Sequence, residues 1–197
     1  MKNCLVISTS EETFPCPIPD SREEIRLGLH IYCPLQEMVL NRCGFSIPLR
    51  NRNEIYTGEL LATILSDPGI EDRFFIRLRT VYSNNFCPNA ADIKRMNYIN
   101  GRCTRHQHIS SSQGTAHRML CQYCREETDL LFVVYPSGRI DSETAELLAI
   151  AQQKQIPILH YDPETFEIIR ENLPENWIAY EDRITESDVY DFFSEND

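Results

Sequence analysis

Glu127-Thr-Asp-Leu-Leu-Phe-Val-Val-Tyr135, followed by Pro136-Ser-Gly-Arg-Ile-Asp-Ser-Glu-Thr144, decides the fold. A continuous apolar run bounded by turn residues is the pattern of a strand buried on both faces, and such strands belong to parallel sheets. A helical pattern from Ala145 to Lys154 and a second apolar run, Ile156-Pro-Ile-Leu-His160, complete a βαβ unit. The turn between strand and helix therefore lies at a strand carboxyl end and a helix amino terminus, where open α/β sheets bind ligands, often anions.

Working outward, Asn3 to Ser8 reads as an opening strand, and the prolines of Phe14-Pro-Cys-Pro-Ile-Pro19 keep the next segment extended. Asp20-Ser21 ahead of Arg22-Glu-Glu24 marks a helix start. Pro34 is expected to interrupt or restart that helix, and Gly44 to end it. Phe45 to Leu49 is a short strand candidate, Glu54 to Leu65 a helix, and Arg73 to Tyr82 a strand with one wetter face. Between Ser83 and Gly114 the turn residues dominate, with a short helix from Asp92 to Ile99. Thr115 to Thr128 reads as helical, and a last helix is expected from Asp162 to Asn172, before Pro174. The expectation is an α/β fold, three-layer and Rossmann-like, on a mostly parallel sheet of about five strands. It spans residues 1–172, with an acidic tail over 173–197 that carries Val189, Phe192 and Phe193.

Composition restricts the partners. With 197 residues, 42% hydrophobic, the chain has enough apolar material for a full core. A net charge of -11 argues against the phosphate backbone of nucleic acids and against anionic membrane surfaces. The opening apolar run is too short for a signal peptide, so a cytoplasmic location is expected. The eight cysteines then read as reduced thiols, several of them core residues. The alternative is a zinc-compatible set drawn from Cys103, His106, His117, Cys121 and Cys124, of which His117, Cys121 and Cys124 share a helix face at i, i+4, i+7. That spacing is also the ordinary spacing of a core stripe, so no metal and no cofactor are called for.

Asp129-Leu-Leu-Phe-Val-Val-Tyr135 and Ser142-Glu-Thr-Ala-Glu-Leu-Leu-Ala-Ile-Ala151 together resemble the C-terminal half of the SLOG superfamily, the Rossmann-like group with YpsA-type and LOG (lysine-decarboxylase-like) proteins. Val6-Ile-Ser-Thr9 and Phe75 to Tyr82 add weaker likeness, and nucleoside 2-deoxyribosyltransferase-like proteins share a similar last βαβ unit. The resemblance implies a nucleotide-related or phosphate-bearing ligand. Its contacts would be Ser8, Thr9, Tyr82, Ser83, Tyr135, Arg139, Ser142 and Thr144. The chain departs from the pattern where a glycine pair is expected, since Ser142-Glu143 precede Thr144 and Pro48-Leu-Arg-Asn-Arg52 replaces a second glycine-rich segment.

Two other classes stay open. An N-glycosidic hydrolase or deoxyribosyltransferase-like enzyme needs a carboxylate, for which Glu59 and Glu146 are the candidates. A non-catalytic scaffold, zinc-stabilised or not, fits the missing glycines and the acidic tail, and a homodimer is a further alternative.

Overall fold

In a computed structural model of the chain, the described residues are 2–18, 21–67, 78–81, 88–107 and 113–180. Strands β1 (Lys2–Ser8), β2 (Cys43–Ile47), β3 (Leu78–Val81), β4 (Arg105–Gln107), β5 (Leu130–Val134), β6 (Ile158–Tyr161) and β7 (Ile168–Glu171) form one sheet in the order β4-β3-β2-β1-β5-β6-β7. The sheet thus has seven strands where the sequence predicts about five. All neighbours pair in parallel except β6 and β7. Strand order runs one way from β1 through β2 and the other way from β1 through β5, so the direction of winding reverses between β1 and β5.

Helices α1 (Arg22–Leu40), α2 (Arg52–Ile64), α3 (Ala90–Arg102), α4 (Gln113–Glu127) and α5 (Ser142–Gln153) pack on both sides of the sheet. The two-residue period of the strands divides the core. Cys4, Val6, Leu130, Phe132, Leu159 and Tyr161 face α1, α2 and Ile99 of α3, whereas Leu5, Ile7, Leu131, Val133 and Ile158 face α4 and α5. Both faces are apolar, which is why β5 and its neighbours read as unbroken hydrophobic runs.

Local chemistry sets the helix starts. Ser21, Asn51, Asn89 and Asp141 cap α1, α2, α3 and α5, each side chain accepting from a backbone N–H three residues on. Gly28 lets α1 approach α2, because an added Cβ would lie 2.4 Å from the Tyr56 hydroxyl oxygen. That hydroxyl donates to the Glu24 carbonyl at 2.6 Å.

Three expectations are corrected. Pro34 sits inside a continuous α1 and neither breaks nor restarts it. Helix α1 ends at Asn41, with Arg42 in the left-handed region at φ 55°, and Gly44 belongs to β2. The segment expected as a helix from Asp162 to Asn172 is a turn and then β7. There the Asp162 carboxylate accepts the Glu164 and Thr165 N–H groups, and Phe166 at φ 59° turns the chain back against β6.

The seven described cysteines are all free thiols, with Cys4, Cys33, Cys43, Cys121 and Cys124 buried. Burial pushes the Cys43 and Cys124 thiols up to about 12. No helix among the described residues is long and apolar enough to cross a membrane. The tail residues Val189, Phe192 and Phe193 named above lie outside the described residues.

Candidate functional site

Parallel strands β1 and β5 end side by side at Ser8 and Val134, and the chain leaves them toward opposite faces. The crevice so formed is the usual ligand position of an open α/β sheet. Its floor is a buried ion pair. Arg50, in the loop after β2, directs Nε and Nη2 at Glu54 Oε1 at 2.9 and 2.6 Å, and its backbone N–H donates to Glu54 Oε2 at 2.6 Å. The Ser8 N–H adds a fourth hydrogen bond to Glu54 Oε1 at 3.2 Å.

The side chains of Arg50 and Glu54 are 9% and 0% exposed. Burial opposes the Arg50 charge, but Glu54 beside it raises the guanidinium pKa above its ordinary value. Burial pushes the Glu54 carboxyl upward in spite of Arg50. Immediately before Arg50, buried Leu49 takes φ 51°, a conformation that disfavours side chains by about 1–2 kcal/mol. Pro48 to Arg52 thus makes without glycine a turn that glycine would make without strain.

A second carboxylate closes the other wall. Asp141 Oδ2 accepts from the Thr9 hydroxyl and the Ser10 N–H, each at 2.8 Å, and from the Thr144 hydroxyl at 3.0 Å. Its Oδ1 accepts the Thr144 N–H at 2.8 Å. Burial works against the Asp141 charge, yet these donors and the nearby Arg50 hold the carboxyl below its usual range. At α2 the same device recurs, with Glu11 Oε1 accepting the Arg52 N–H at 3.0 Å. Carboxylates of the chain itself therefore stand at the starts of both helices flanking the crevice.

Glu143, in the first turn of α5, is half-exposed at the rim, with Arg50 Nη1 3.5 Å from its Oε2. Across from it lies His117 on α4, whose Nδ1 is 3.8 Å from Glu143 Oε2 and whose Nε2 is 2.9 Å from Glu146 Oε2. The hydrogen bond from His117 holds the Glu146 carboxyl below its ordinary range.

The residues named from sequence divide accordingly. Ser8, Thr9 and Thr144 converge on the crevice, all buried, with the Ser8 hydroxyl on the Val134 carbonyl at 3.2 Å. Tyr135 directly follows β5 but turns toward β6, where its ring stacks on His160 at 3.8 Å. Ser142 is exposed at the start of α5, and Arg139 turns outward to pair with Glu164. Tyr82 and Ser83 lie outside the described residues. Glu59 pairs with Arg95 of α3 at 3.1 Å, apart from the Arg50 and Asp141 groups, whereas Glu146 stands on His117. Of the zinc-compatible set, His117 and Cys121 meet at 3.5 Å, while the Cys124 thiol points to the Leu147 carbonyl in the core. Cys103 packs against the opposite core, and His106 lies on the edge strand β4.

Sequence reasoning did not single out Arg50, Glu54, Asn51, Asn53 or Asp141 as site residues. The amide nitrogens of Asn51 and Asn53 donate to the Ser8 and Thr9 carbonyls at 3.1 and 3.0 Å. One signal was present, the cluster Arg50-Asn-Arg-Asn53-Glu54 directly after a strand. No protein-family model and no curated protein matches the chain.

Proposed function

We propose that this chain binds a nucleotide-related small molecule in the crevice between the carboxyl ends of β1 and β5, on a three-layer Rossmann-like scaffold of diverged SLOG type. One observation carries the reading: the point where strand order reverses coincides with a charged pair, Arg50 and Glu54, held almost free of water. Desolvated charge at a sheet's carboxyl edge is characteristic of ligand sites, since burying it without such a role is expensive. The strained turn at Leu49 lies beside it, and backbone strain also gathers at such sites.

The donors available favour particular parts of such a ligand. The Thr144, Ser10 and Arg52 amides already serve Asp141 and Glu11, so a phosphate finds its partner in the Arg50 guanidinium and not in a helix start. Carboxylate oxygens of Glu143 at the rim suit sugar hydroxyls, which donate to them. The 3.5 Å contact from Arg50 Nη1 to Glu143 is long for a charge-assisted bond and is readily exchanged for one to a ligand oxygen.

Thermal-shift measurements with nucleosides and their mono- and diphosphates test the proposal. A binding member stabilises the fold increasingly with its concentration, by about 2.7 kcal/mol at a hundredfold excess over Kd. Glu143→Gln weakens that response, while Glu59→Gln, outside the cluster, leaves it unchanged. A panel with no stabilising member contradicts the reading.

A further inference from the structure

Beside the crevice, α4 and α5 bring an imidazole, a thiol and a carboxylate together. The coordinating atoms of His117, Cys121 and Glu146 all lie within 4.8 Å of one another. We propose that these three residues form a mononuclear site for a zinc-type divalent metal ion, with a fourth position open to water or to a ligand. The inference does not depend on the ligand-binding reading of the crevice.

The distances fit coordination. Zinc bonds of about 2.0 Å to nitrogen and 2.3 Å to sulfur set ligand atoms about 3.5 Å apart at tetrahedral angles. His117 Nε2 and Cys121 Sγ are 3.5 Å apart. His117 Nε2 and Glu146 Oε2, now hydrogen-bonded at 2.9 Å, need to separate by only a few tenths of an ångström. Glu146 has the room, its side chain being 54% exposed.

Placement is as favourable as distance. His117 and Cys121 are at i and i+4 on α4, hence on one face, and α5 packs against α4 to supply Glu146. Two rigid helices therefore fix three ligands of a borderline-soft set, in which imidazole and thiolate select zinc over calcium or magnesium.

A second observation points the same way. His117 Nδ1 is buried and has no hydrogen-bond partner, an arrangement native proteins avoid. Glu143 Oε2 lies 3.8 Å from it. A metal-bound histidine characteristically donates its other ring N–H to a carboxylate, and closing that gap by less than 1 Å would make Glu143 this outer partner. Arg50, 3.5 Å from the same oxygen, would steady the carboxylate in turn. Three protein ligands with the fourth side open to solvent is the pattern of reactive rather than purely structural zinc sites.

Cobalt(II) is the probe. The full chain, stripped with chelator and titrated, is expected to take up a single equivalent with the visible bands of tetrahedral cobalt and a thiolate charge-transfer band, both lost on adding zinc. Cys121→Ser removes the charge-transfer band. Glu146→Gln, at an exposed position and checked for native circular dichroism, weakens cobalt binding at least about tenfold, and Glu143→Gln weakens it by about ten- to a hundredfold. A spectrum that stays that of hydrated cobalt overturns the proposal. So does a tetrahedral signature that survives both Cys121→Ser and Glu146→Gln, because the metal would then sit on other cysteines.

Discussion

The guanidinium of Arg50 and the carboxylate of Glu54 meet at 2.6 Å across the first turn of α2, in a place where water reaches neither freely. Through the Ser8 N–H the same carboxylate ties the end of β1 to that turn. Truncating one partner leaves the other buried and uncompensated, so Arg50→Met is expected to destabilise the fold by about 3–5 kcal/mol in urea denaturation. The double variant Arg50→Met, Glu54→Gln should recover part of that loss, since no buried charge then remains and the amide oxygen still accepts the Ser8 N–H. A loss in the double variant equal to the sum of the two single-variant losses would show that the pair has no mutual role.

Asp141 both caps α5 and joins it to the loop after β1. Asp141→Ala should cost about 1–2 kcal/mol from the cap alone, and more from the Thr9 and Ser10 bonds. Asp141→Asn retains an oxygen acceptor for the Thr144 N–H but loses the charge, so chemical denaturation should place it between the wild type and Asp141→Ala.

Acid should reveal the same group. The folded state holds the Asp141 carboxyl below its ordinary value, and Asp162 likewise, burial being outweighed there by donors from Ser137 and Thr165. Their stabilisation is complete above the unfolded carboxyl pKa of about 3.9 and is lost as pH falls through the depressed folded value. Stability measured against pH is thus expected to decline below about pH 4, and less steeply in Asp141→Asn.

Far from the crevice, Glu37 is fully buried and holds the segment after β6. It accepts Arg170 Nε at 2.9 Å, the Trp177 indole N–H at 2.5 Å and the Tyr180 N–H at 3.2 Å. Glu37→Leu strands these donors, so the emission of the chain's single tryptophan should shift to the red and cleavage by protease near residues 172–180 should quicken. Unchanged emission would argue that apolar packing alone seats Trp177.

The βαβ unit of β5, α5 and β6 was legible because its strands are buried on both faces, which leaves an apolar run that no other element of that length produces. Strand β7 was not. Asp162-Pro-Glu-Thr carries every sign of a helix start, and the Asp162 side chain does accept N–H groups two and three residues on. What stops a helix is Phe166 at φ 59° and the pairing of Ile168 with Tyr161, a tertiary choice that local pattern does not encode.

The crevice was located by the same unit, but its chemistry depended on distant contacts. Glu54 looks like an ordinary first-turn acid of α2, and only its bond to Ser8, 46 positions earlier, brings it to the floor of the crevice. Asp141 is the N-cap of α5, a role for which its residue type is well suited. Its hold on Thr9 and Ser10, across 132 and 131 positions, appears only in three dimensions.

Binding in the crevice is read most directly by amide chemical-shift mapping of the isotope-labelled chain against the nucleotide that gives the largest thermal shift. Saturable changes are expected at Ser10, Arg50, Ser142 and Glu143, the residues around the β1–β5 crevice. Changes confined to residues away from that edge, such as His30 and Phe166, would contradict it.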